Sequence, residues 1–172
     1  MPVIDAHQTS RTTRRRRDGA RGAAAAPPDL KIRAAHADDL AQVIALDARV
    51  TGIEKPDFFF ELFHRYGTRG LQQRFFLVAE SAGAIRGFIL GDVRDWEFGS
   101  VPCGWVFGIN VQPDARLGGI GTMLLHAICD NFRRARVTKV RTLLARDNSL
   151  VLSFFRSQGM MAAPVIPLEM DL

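Results

Sequence analysis

Cysteine is scarce and long apolar runs are missing in this sequence of 172 residues. The two cysteines, Cys103 and Cys129, are too few for a disulfide framework and too few by themselves for a structural zinc site. No stretch approaches the roughly 18 to 20 consecutive apolar residues that span a bilayer, and the N-terminus lacks the apolar core of a secretory signal peptide. We therefore expect a cytoplasmic protein with no metal and no membrane contact.

A strong charge of one sign is also lacking in most of the chain. The formal net charge is +5, but residues 1–29 hold six arginines against three aspartates, which leaves only +2 for residues 30–172. The first segment has almost no periodic apolar residues, so we expect a disordered tail rich in Arg, Ala and Pro. Its arginines would contact phosphates without specificity, and salt would weaken that contact. Specific nucleic-acid binding is therefore not expected.

The composition of the chain suits one globular domain. Hydrophobic residues make up 47% of the sequence and charged residues 24%, which supports a packed core and excludes global disorder. The length leaves room for one domain of ordinary size beside the tail. We divide the chain into a tail, residues 1–29, and a single domain, residues 30–172.

Hydrophobic periodicity predicts the elements of this domain. In chain order we expect a strand (residues 30–34), two amphipathic helices (38–50, and from Pro56 to Gly67 and Gly70), a hairpin (75–91, with its turn at 81–84), a strand (105–111), a helix (119–132), a strand (140–144), a helix (148–158) and a closing strand. In the closing strand Ile166, Leu168, Met170 and Leu172 alternate with Pro167, Glu169 and Asp171. This order predicts an α/β fold, a mixed sheet of about six strands flanked by about four helices.

A glycine-rich loop connects the predicted strand at residues 105–111 to the helix that follows. Glycines at a helix start let main-chain N–H groups approach an anion, and the helix dipole adds partial positive charge there. The residues that would form this phosphate cradle are Arg116, Leu117, Gly118, Gly119, Ile120, Gly121 and Thr122. A P-loop is excluded because no lysine follows Gly121, and a dinucleotide fingerprint fits poorly because Leu124 stands where its third glycine belongs. The alternative is a helix whose glycines only allow tight packing.

Residues 116–121, preceded by the apolar strand that ends Ile109-Asn110-Val111 and by the Pro113 turn, resemble the acetyl-CoA pyrophosphate motif (Q/R-x-x-G-x-G/A) of the GNAT superfamily of N-acyltransferases. A second segment, residues 148–160, is similar to the asparagine, apolar helix and terminal Gly-Phe of that family, with methionine in place of the phenylalanine. The resemblance covers residues 30–172. It implies a GNAT-like fold that uses acetyl-CoA as cosubstrate.

The resemblance also implies which residues hold the cosubstrate. The pantetheine arm would lie where the strand ending at Val111 and the strand from Val140 splay apart, and it would pair with the backbone of Ile109 and Val111. A main-chain N–H near Val111 would polarise the thioester carbonyl. The implied acetyl-CoA-binding residues are Ile109, Val111, Arg116, Leu117, Gly118, Gly119, Ile120, Gly121, Thr122, Asn148 and Phe155.

Two departures from the family pattern concern proton transfer. Phe155 occupies the position where many members carry a tyrosine as general acid, so water would protonate the thiolate unless Tyr66, the single tyrosine, does so. Trp105 lies where some relatives place a glutamate base. The candidate bases are Glu97, Glu54, Glu80, Asp92 and His64. We favour Glu97, because neighbouring aromatic residues could desolvate it. Cys103 has no adjacent base and is not expected to be a nucleophile.

The resulting functional hypothesis is an acetyl-CoA-dependent N-acetyltransferase in which a primary amine attacks the thioester directly. The acceptor would enter over the first two helices, where residues 52–58 form an acidic and aromatic rim suited to a cation. A small molecule, a lysine side chain and a protein N-terminus all remain open as acceptors. So do a homodimer and the alternative function of a CoA-binding sensory or interaction module without turnover.

Overall fold

The computed structural model describes residues 26–66, 73–95 and 97–172, with the backbone alone at Phe98. Its strands are β1 (Lys31–Ala34), β2 (Arg74–Ser81), β3 (Ala84–Arg94), β4 (Cys103–Val111) and β5 (Val140–Thr142). Its helices are α1 (Leu40–Thr51), α2 (Pro56–Tyr66), α3 (Ile120–Arg134) and α4 (Ser149–Ser157), and 3-10 turns lie at Ala37–Asp39, Glu97–Gly99 and Pro113–Ala115. The predicted α/β fold is confirmed.

The five strands form one sheet in the order β1-β2-β3-β4-β5. The first four pair antiparallel, whereas β4 and β5 pair in parallel. The predicted hairpin is present, with Ala82 (φ 50°) and Gly83 (φ 74°) as a two-residue turn between β2 and β3. Asp29 holds this turn, because its carboxylate accepts hydrogen bonds from Ser81 Oγ (2.8 Å) and the Ala82 N–H (2.7 Å). The pKa of Asp29 is lowered by these bonds, that from Ser81 first.

The sheet separates two apolar cores. Helices α1 and α2 cover one face, and the core there includes Phe59 and Phe88. Helices α3 and α4 cover the other face, and that core includes Ile89, Ile128 and Phe132. Alternation along β3 explains the division, because adjacent residues of a strand point to opposite faces. We refer below to the α1/α2 face and the α3/α4 face.

The sheet has five strands rather than about six, because the predicted closing strand at residues 166–172 is not present. Residues 158–172 form no strand, and Ile166, Leu168 and Met170 are 84%, 92% and 78% exposed. The alternation is that of a strand, but a strand needs a neighbour to pair with, and this segment pairs with no strand of the described chain. Residues 1–25 of the predicted tail, and the predicted helix end at Gly67 and Gly70, lie outside the described residues.

Gly104 on β4 allows α3 to approach the sheet closely. A Cβ built at this position would lie 2.5 Å from Cδ2 of Phe132, which is buried in the core. We expect Gly104→Ala to lower the free energy of unfolding by about 1–3 kcal/mol through overpacking. Urea denaturation measures this loss. In the matched double variant with Phe132→Leu the combined loss should be smaller than the sum of the single losses; a Gly104→Ala protein as stable as wild type would contradict the packing argument.

Candidate active site

A gap opens in the sheet between β4 and β5. The strands pair only at Gly104 with Val140, Trp105 with Arg141 and Val106 with Thr142. Strand β4 then continues to Val111, and within the described residues no strand pairs with this second half on its β5 side. The unpaired main chain can accept an extended ligand as if it were a strand.

The backbone of Ile109 and Val111 points into this gap. The N–H of Gln112 donates to the Arg86 carbonyl oxygen of β3 (2.9 Å). Because main-chain groups alternate in direction along a strand, Asn110 also points towards β3, and its two neighbours point away from it. The structure therefore places the main-chain groups of Ile109 and Val111 where an extended ligand could pair with them.

Gln112 fixes the end of β4, a role that the sequence analysis missed. Its buried side chain accepts a hydrogen bond from Arg86 Nη1 (3.0 Å) and donates one to the Ile85 carbonyl oxygen (3.0 Å). Both partners lie on β3, far from Gln112 in sequence. The only local signal is a glutamine between a strand and a proline, which is not specific.

The glycine loop has the geometry of an anion cradle. Leu117 (φ 75°) and Gly119 (φ 74°) are both left-handed, and Gly119 is the N-cap of α3. Since the first bond along α3 runs from the Met123 N–H to the Gly119 carbonyl oxygen (3.0 Å), the preceding amides of Ile120, Gly121 and Thr122 lack intrahelical partners. A Cβ built at Gly119 meets nothing within 4 Å. The space beside Gly119, at the start of this helix, is therefore open.

The glycines of this loop have different roles. A Cβ at Gly121 would lie 3.2 Å from Cε2 of Phe154 on α4, so Gly121 lets α3 and α4 pack together. Gly118 is buried, and Ile120 belongs to the α3/α4 core. Leu117 is 82% exposed, and Arg116 is half-buried beside the cradle. The alternative that the glycines only allow tight packing therefore applies to Gly121, whereas Gly119 faces open space.

Asn148 and Phe155, the two residues of this segment that the resemblance implies for acetyl-CoA binding, differ in exposure: Asn148 is exposed and Phe155 is buried. Asn148 is the N-cap, where its Oδ1 accepts a hydrogen bond from the Val151 N–H (3.2 Å). Phe155 is only 3% exposed and packs in the α3/α4 core. Phe154, which the sequence analysis did not single out, is the aromatic residue that touches the cradle through Gly121.

Glu97 lies near the opposite end of β4 from the cradle. It follows β3 in a 3-10 turn, and its Oε1 is 3.8 Å from Nη1 of Arg94. The ring of Trp105 is covered by the Arg94 guanidinium at 4.8 Å, so it is not free to desolvate the glutamate. The Glu97 side chain stays 35% exposed. Trp96 lies outside the described residues.

A polar and aromatic cluster lies on the α1/α2 face where the gap begins. A bulge shifts the β3–β4 register between Leu90 and Gly91, so that Phe107 is an extra residue on β4 and is 38% exposed. Tyr66 at the end of α2 packs edge-on against Phe107, with ring centroids 5.4 Å apart. Its hydroxyl donates to Asp92 Oδ2 (2.9 Å).

Asp92 connects this cluster to Trp105, the position at which some relatives were expected to carry a glutamate base. It is paired with Trp105 in the β3–β4 register, and Arg94 Nε donates to its Oδ1 (3.0 Å). The structure thus places a carboxylate directly across from Trp105, on the neighbouring strand. Sequence reasoning included Asp92 among the candidate bases but favoured Glu97, because the pairing register that places Asp92 across from Trp105 is not visible in local patterns.

A buried carboxylate, Asp47, ties α1 to β4. Asp47 accepts a hydrogen bond from Asn110 Nδ2 (2.9 Å) and forms an ion pair with Lys55 Nζ (2.8 Å). Asn110 is therefore a structural amide, and the loop that carries the predicted acceptor rim is held against the sheet. In that rim Glu54, Asp57 and Phe58 are exposed.

Two cavities of the described structure lie away from the cradle. One of about 390 Å³ and one of about 180 Å³ both border Val140, Met160 and Met161, beside β5 and the C-terminal segment. Among the described residues no group of three or more His, Cys, Asp or Glu side chains could hold a metal ion. No helix in the described ranges is long and apolar enough to cross a membrane.

Comparisons with known proteins agree with this geometry. The model of the acetyltransferase (GNAT) family matches residues 40–160. The fold is similar to an aminoglycoside antibiotic 6'-N-acetyltransferase from Acinetobacter haemolyticus, with a TM-score of 0.69 and 20% identity over 83% of this chain and 99% of that one. No curated protein sequence gives a match.

Two further structures differ in their acceptors. AAC(6')-Iy, in complex with a bisubstrate analogue, CoA-S-monomethyl-acetylneamine, has a TM-score of 0.72 and 16% identity over 83% of this chain and 98% of that one. A ribosomal-protein-alanine N-acetyltransferase from Brucella melitensis has a TM-score of 0.68 and 18% identity over 83% of this chain and 99% of that one. At these identities the likeness establishes the fold alone.

Tyr66 offers a direct check of the cluster, because it is the single tyrosine of the chain. Burial, and then its hydrogen bond to Asp92, raise the pKa of its phenol above the ordinary 10.0. We expect the tyrosinate absorbance to titrate above pH 10, and closer to the ordinary value in Asp92→Asn. The raised pKa contributes stability below about pH 10 that is lost as the pH rises through the folded pKa. An ordinary midpoint in the folded wild type would contradict the contact.

Proposed function

Because the chain belongs to the acetyltransferase (GNAT) family, we propose that it transfers the acetyl group of acetyl-CoA to a primary amine. The observation that carries the proposal is the combination of an open cradle at Gly119 with a gap beside Ile109 and Val111. The cradle suits a pyrophosphate, with Arg116 adding a full charge. The gap suits the extended amide-bearing arm of the same molecule.

In this proposal the reaction needs no covalent enzyme intermediate. The neutral amine nitrogen attacks the thioester carbonyl carbon, the C–S bond breaks, and the nitrogen gives up one proton to water. CoA leaves as a thiolate that takes a proton. A main-chain N–H of β4 that points into the gap would stabilise the developing oxyanion. Phe155 has no proton to give, and Glu97 lies near the far end of β4, so we assign the thiolate proton to water.

Tyr66 is the residue that we propose to hold the acceptor amine. Its O–H is already donated to Asp92, so the lone pairs of the phenol oxygen are available to accept a hydrogen bond from the amine. The raised phenol pKa keeps this group neutral at physiological pH. The nearby bulge at Phe107 marks the start of the gap, which is where an acetyl group at the end of the arm would meet an amine on the α1/α2 face.

The acceptor itself is proposed as a cationic primary amine, because Glu54 and Asp57 are exposed on the rim. The neighbouring structures include enzymes named for aminoglycosides and for ribosomal-protein alanine. Release of free CoA thiol in the presence of an aminoglycoside, a polyamine, a lysine peptide or an alanine-terminated peptide distinguishes these classes. Saturable acetyl-CoA binding with no thiol release from any amine would favour the alternative, a CoA-binding module without turnover.

Gly119→Ala tests the cradle, with Gly52→Ala as its matched control. Both glycines have a φ near 75° (74° and 76°), and at both a Cβ would meet open space. Each substitution should therefore cost about 1–2 kcal/mol of folding free energy through the left-handed backbone. Only Gly119→Ala places a methyl group where phosphate oxygens would approach. Isothermal titration should show acetyl-CoA affinity reduced about tenfold or more for Gly119→Ala alone; equal affinities would remove the proposed site.

Tyr66→Phe tests the acceptor side. Loss of one hydrogen bond to a charged or polar acceptor amine should lower kcat/KM for the amine by about tenfold, while acetyl-CoA affinity stays unchanged. Phe155→Tyr is the companion variant, and it should bind acetyl-CoA within a few-fold of wild type and turn over at least as fast. A Tyr66→Phe enzyme with unchanged kcat/KM for every amine would contradict the proposal that Tyr66 holds the acceptor amine.

A further inference from the structure

Asp47 on α1 is a buried carboxylate that stability alone does not explain. Its side chain is almost fully buried, and the residue as a whole is 5% exposed. It lies near the C-terminal end of α1, where the helix dipole disfavours an anion. Removing a carboxylate from water costs free energy that an ion pair often fails to recover. A buried charge at this position therefore indicates a role beyond holding the fold together.

The two oxygens of the Asp47 carboxylate contact different parts of the proposed site. Oδ1 accepts a hydrogen bond from Nδ2 of Asn110 on β4 (2.9 Å). Oδ2 forms the ion pair with Nζ of Lys55 (2.8 Å), and it also accepts a longer hydrogen bond from Oγ1 of Thr51 (3.4 Å). One carboxylate therefore joins β4 to the loop between α1 and α2.

The contact with Asn110 reaches the donor side of the proposed site. Asn110 lies between Ile109 and Val111, whose main-chain groups point into the gap beside β4. Its side chain lies on the α1/α2 face, because Asn110 pairs with Phe88, which belongs to the core on that face. The bond to Asp47 restrains the rotation of this stretch about the strand axis. It therefore helps to fix the direction of the main-chain groups on either side.

The contact with Lys55 reaches the acceptor side. The Lys55 carbonyl oxygen accepts a hydrogen bond from the Phe59 N–H (3.2 Å), so Lys55 directly precedes the first turn of α2. Phe59 is buried and packs edge-on against Phe88 of β3, with ring centroids 5.7 Å apart. Tyr66 is the last residue of the same helix. The ion pair therefore anchors the start of the helix whose end carries the residue proposed to hold the amine.

We propose that Asp47 is a positioning residue that holds the acceptor helix α2 and the donor strand β4 in a fixed relative position. Oδ1 acts through Asn110 on β4, and Oδ2 acts through Lys55 on α2. Asp47 itself is not assigned a contact with either substrate. The inference rests on the proposed function, because donor and acceptor are those of acetyl transfer. Reacting groups that are misplaced by about 1 Å can lose two orders of magnitude in rate, so an anchor shared by both sides affects turnover directly.

Substitutions that break one contact at a time test the two roles, and the first pair concerns the acceptor side. Asp47→Asn keeps an oxygen for Asn110 but loses the charge that holds Lys55, and Lys55→Met breaks the same ion pair from its other end. Both should lower kcat/KM for the amine about tenfold and leave the Kd of acetyl-CoA within about twofold of wild type. Lys55→Arg keeps the ion pair and should retain most of the activity.

Asn110→Ala breaks the contact on the donor side. It should raise the Kd of acetyl-CoA about fivefold, while kcat/KM for the amine at saturating acetyl-CoA falls less than about threefold. Asp47→Ala removes both contacts and should show both losses. Thiol release gives kcat/KM, and isothermal titration gives the Kd, with every assay run below the melting temperature of the variant.

Asp39→Asn is the matched control. Asp39 is also a buried carboxylate (6% exposed), but it precedes α1 and is bound to Arg33 of β1, three strands away from β4 in the sheet. This variant should lose stability and keep both kcat/KM and Kd. Losses of activity that follow the loss of stability in every variant, Asp39→Asn included, would reduce Asp47 to a structural residue and overturn the proposal. So would an Asp47→Asn protein with the kcat/KM of wild type.

Failure of the proposed function gives a different result. A wild-type protein that releases no thiol with any amine would refute acetyl transfer. The acetyl-CoA affinities would then decide the donor half of the proposal by themselves. A weaker affinity in Asn110→Ala and in Asp47→Ala, but not in Asp47→Asn, would support it, and equal affinities in all four proteins would overturn it.

Discussion

The early end of the parallel pairing between β4 and β5 is the constraint on which the candidate site depends. After three paired residues, one edge of the second half of β4 has main-chain donors and acceptors that pair with no strand in the part of the chain that the structure describes. Buried or half-buried main-chain groups need partners, so this edge is stable only where solvent or a ligand reaches it. Gln112 and Asp47 hold the strand from β3 and from α1, which keeps the gap from closing by collapse of β4.

The cradle and the cluster of Tyr66, Phe107 and Asp92 adjoin β4 at different points along its length. Gly119 and the first amides of α3 follow β4 at its C-terminal end. Phe107, with Tyr66 and Asp92, lies at the bulge where pairing with β5 stops. A molecule with an anionic end and a reactive end separated by an extended arm fits this separation, and this is the shape of an acyl-CoA. In the proposed function the residue that would hold the acceptor amine, Tyr66, therefore lies at the bulge, away from the charge at the cradle.

Local patterns predicted the parts of the fold that depend on local physics. The turn between β2 and β3 and the start of α3 each follow from a glycine that accepts a positive φ, Gly83 and Gly119. The hydrogen bond between Tyr66 and Asp92, and that between Gln112 and Ile85, join residues 26 and 27 positions apart, and their geometry depends on a register that no local pattern specifies. The prediction of a closing strand at residues 166–172 is wrong for a related reason. Alternation of apolar and polar residues describes one strand, but it does not specify the strand with which that one would pair.

The division of the interior into two cores has a consequence for the order in which substrates bind. The cores on the α1/α2 face and the α3/α4 face meet only through the sheet, and β4 presents main chain to the gap and side chains to both faces. A donor paired with Ile109 and Val111 would stiffen the strand whose bulge seats Phe107 against Tyr66. Donor binding would then prepare the acceptor side before any amine arrives, and a compulsory kinetic order could arise from a single strand.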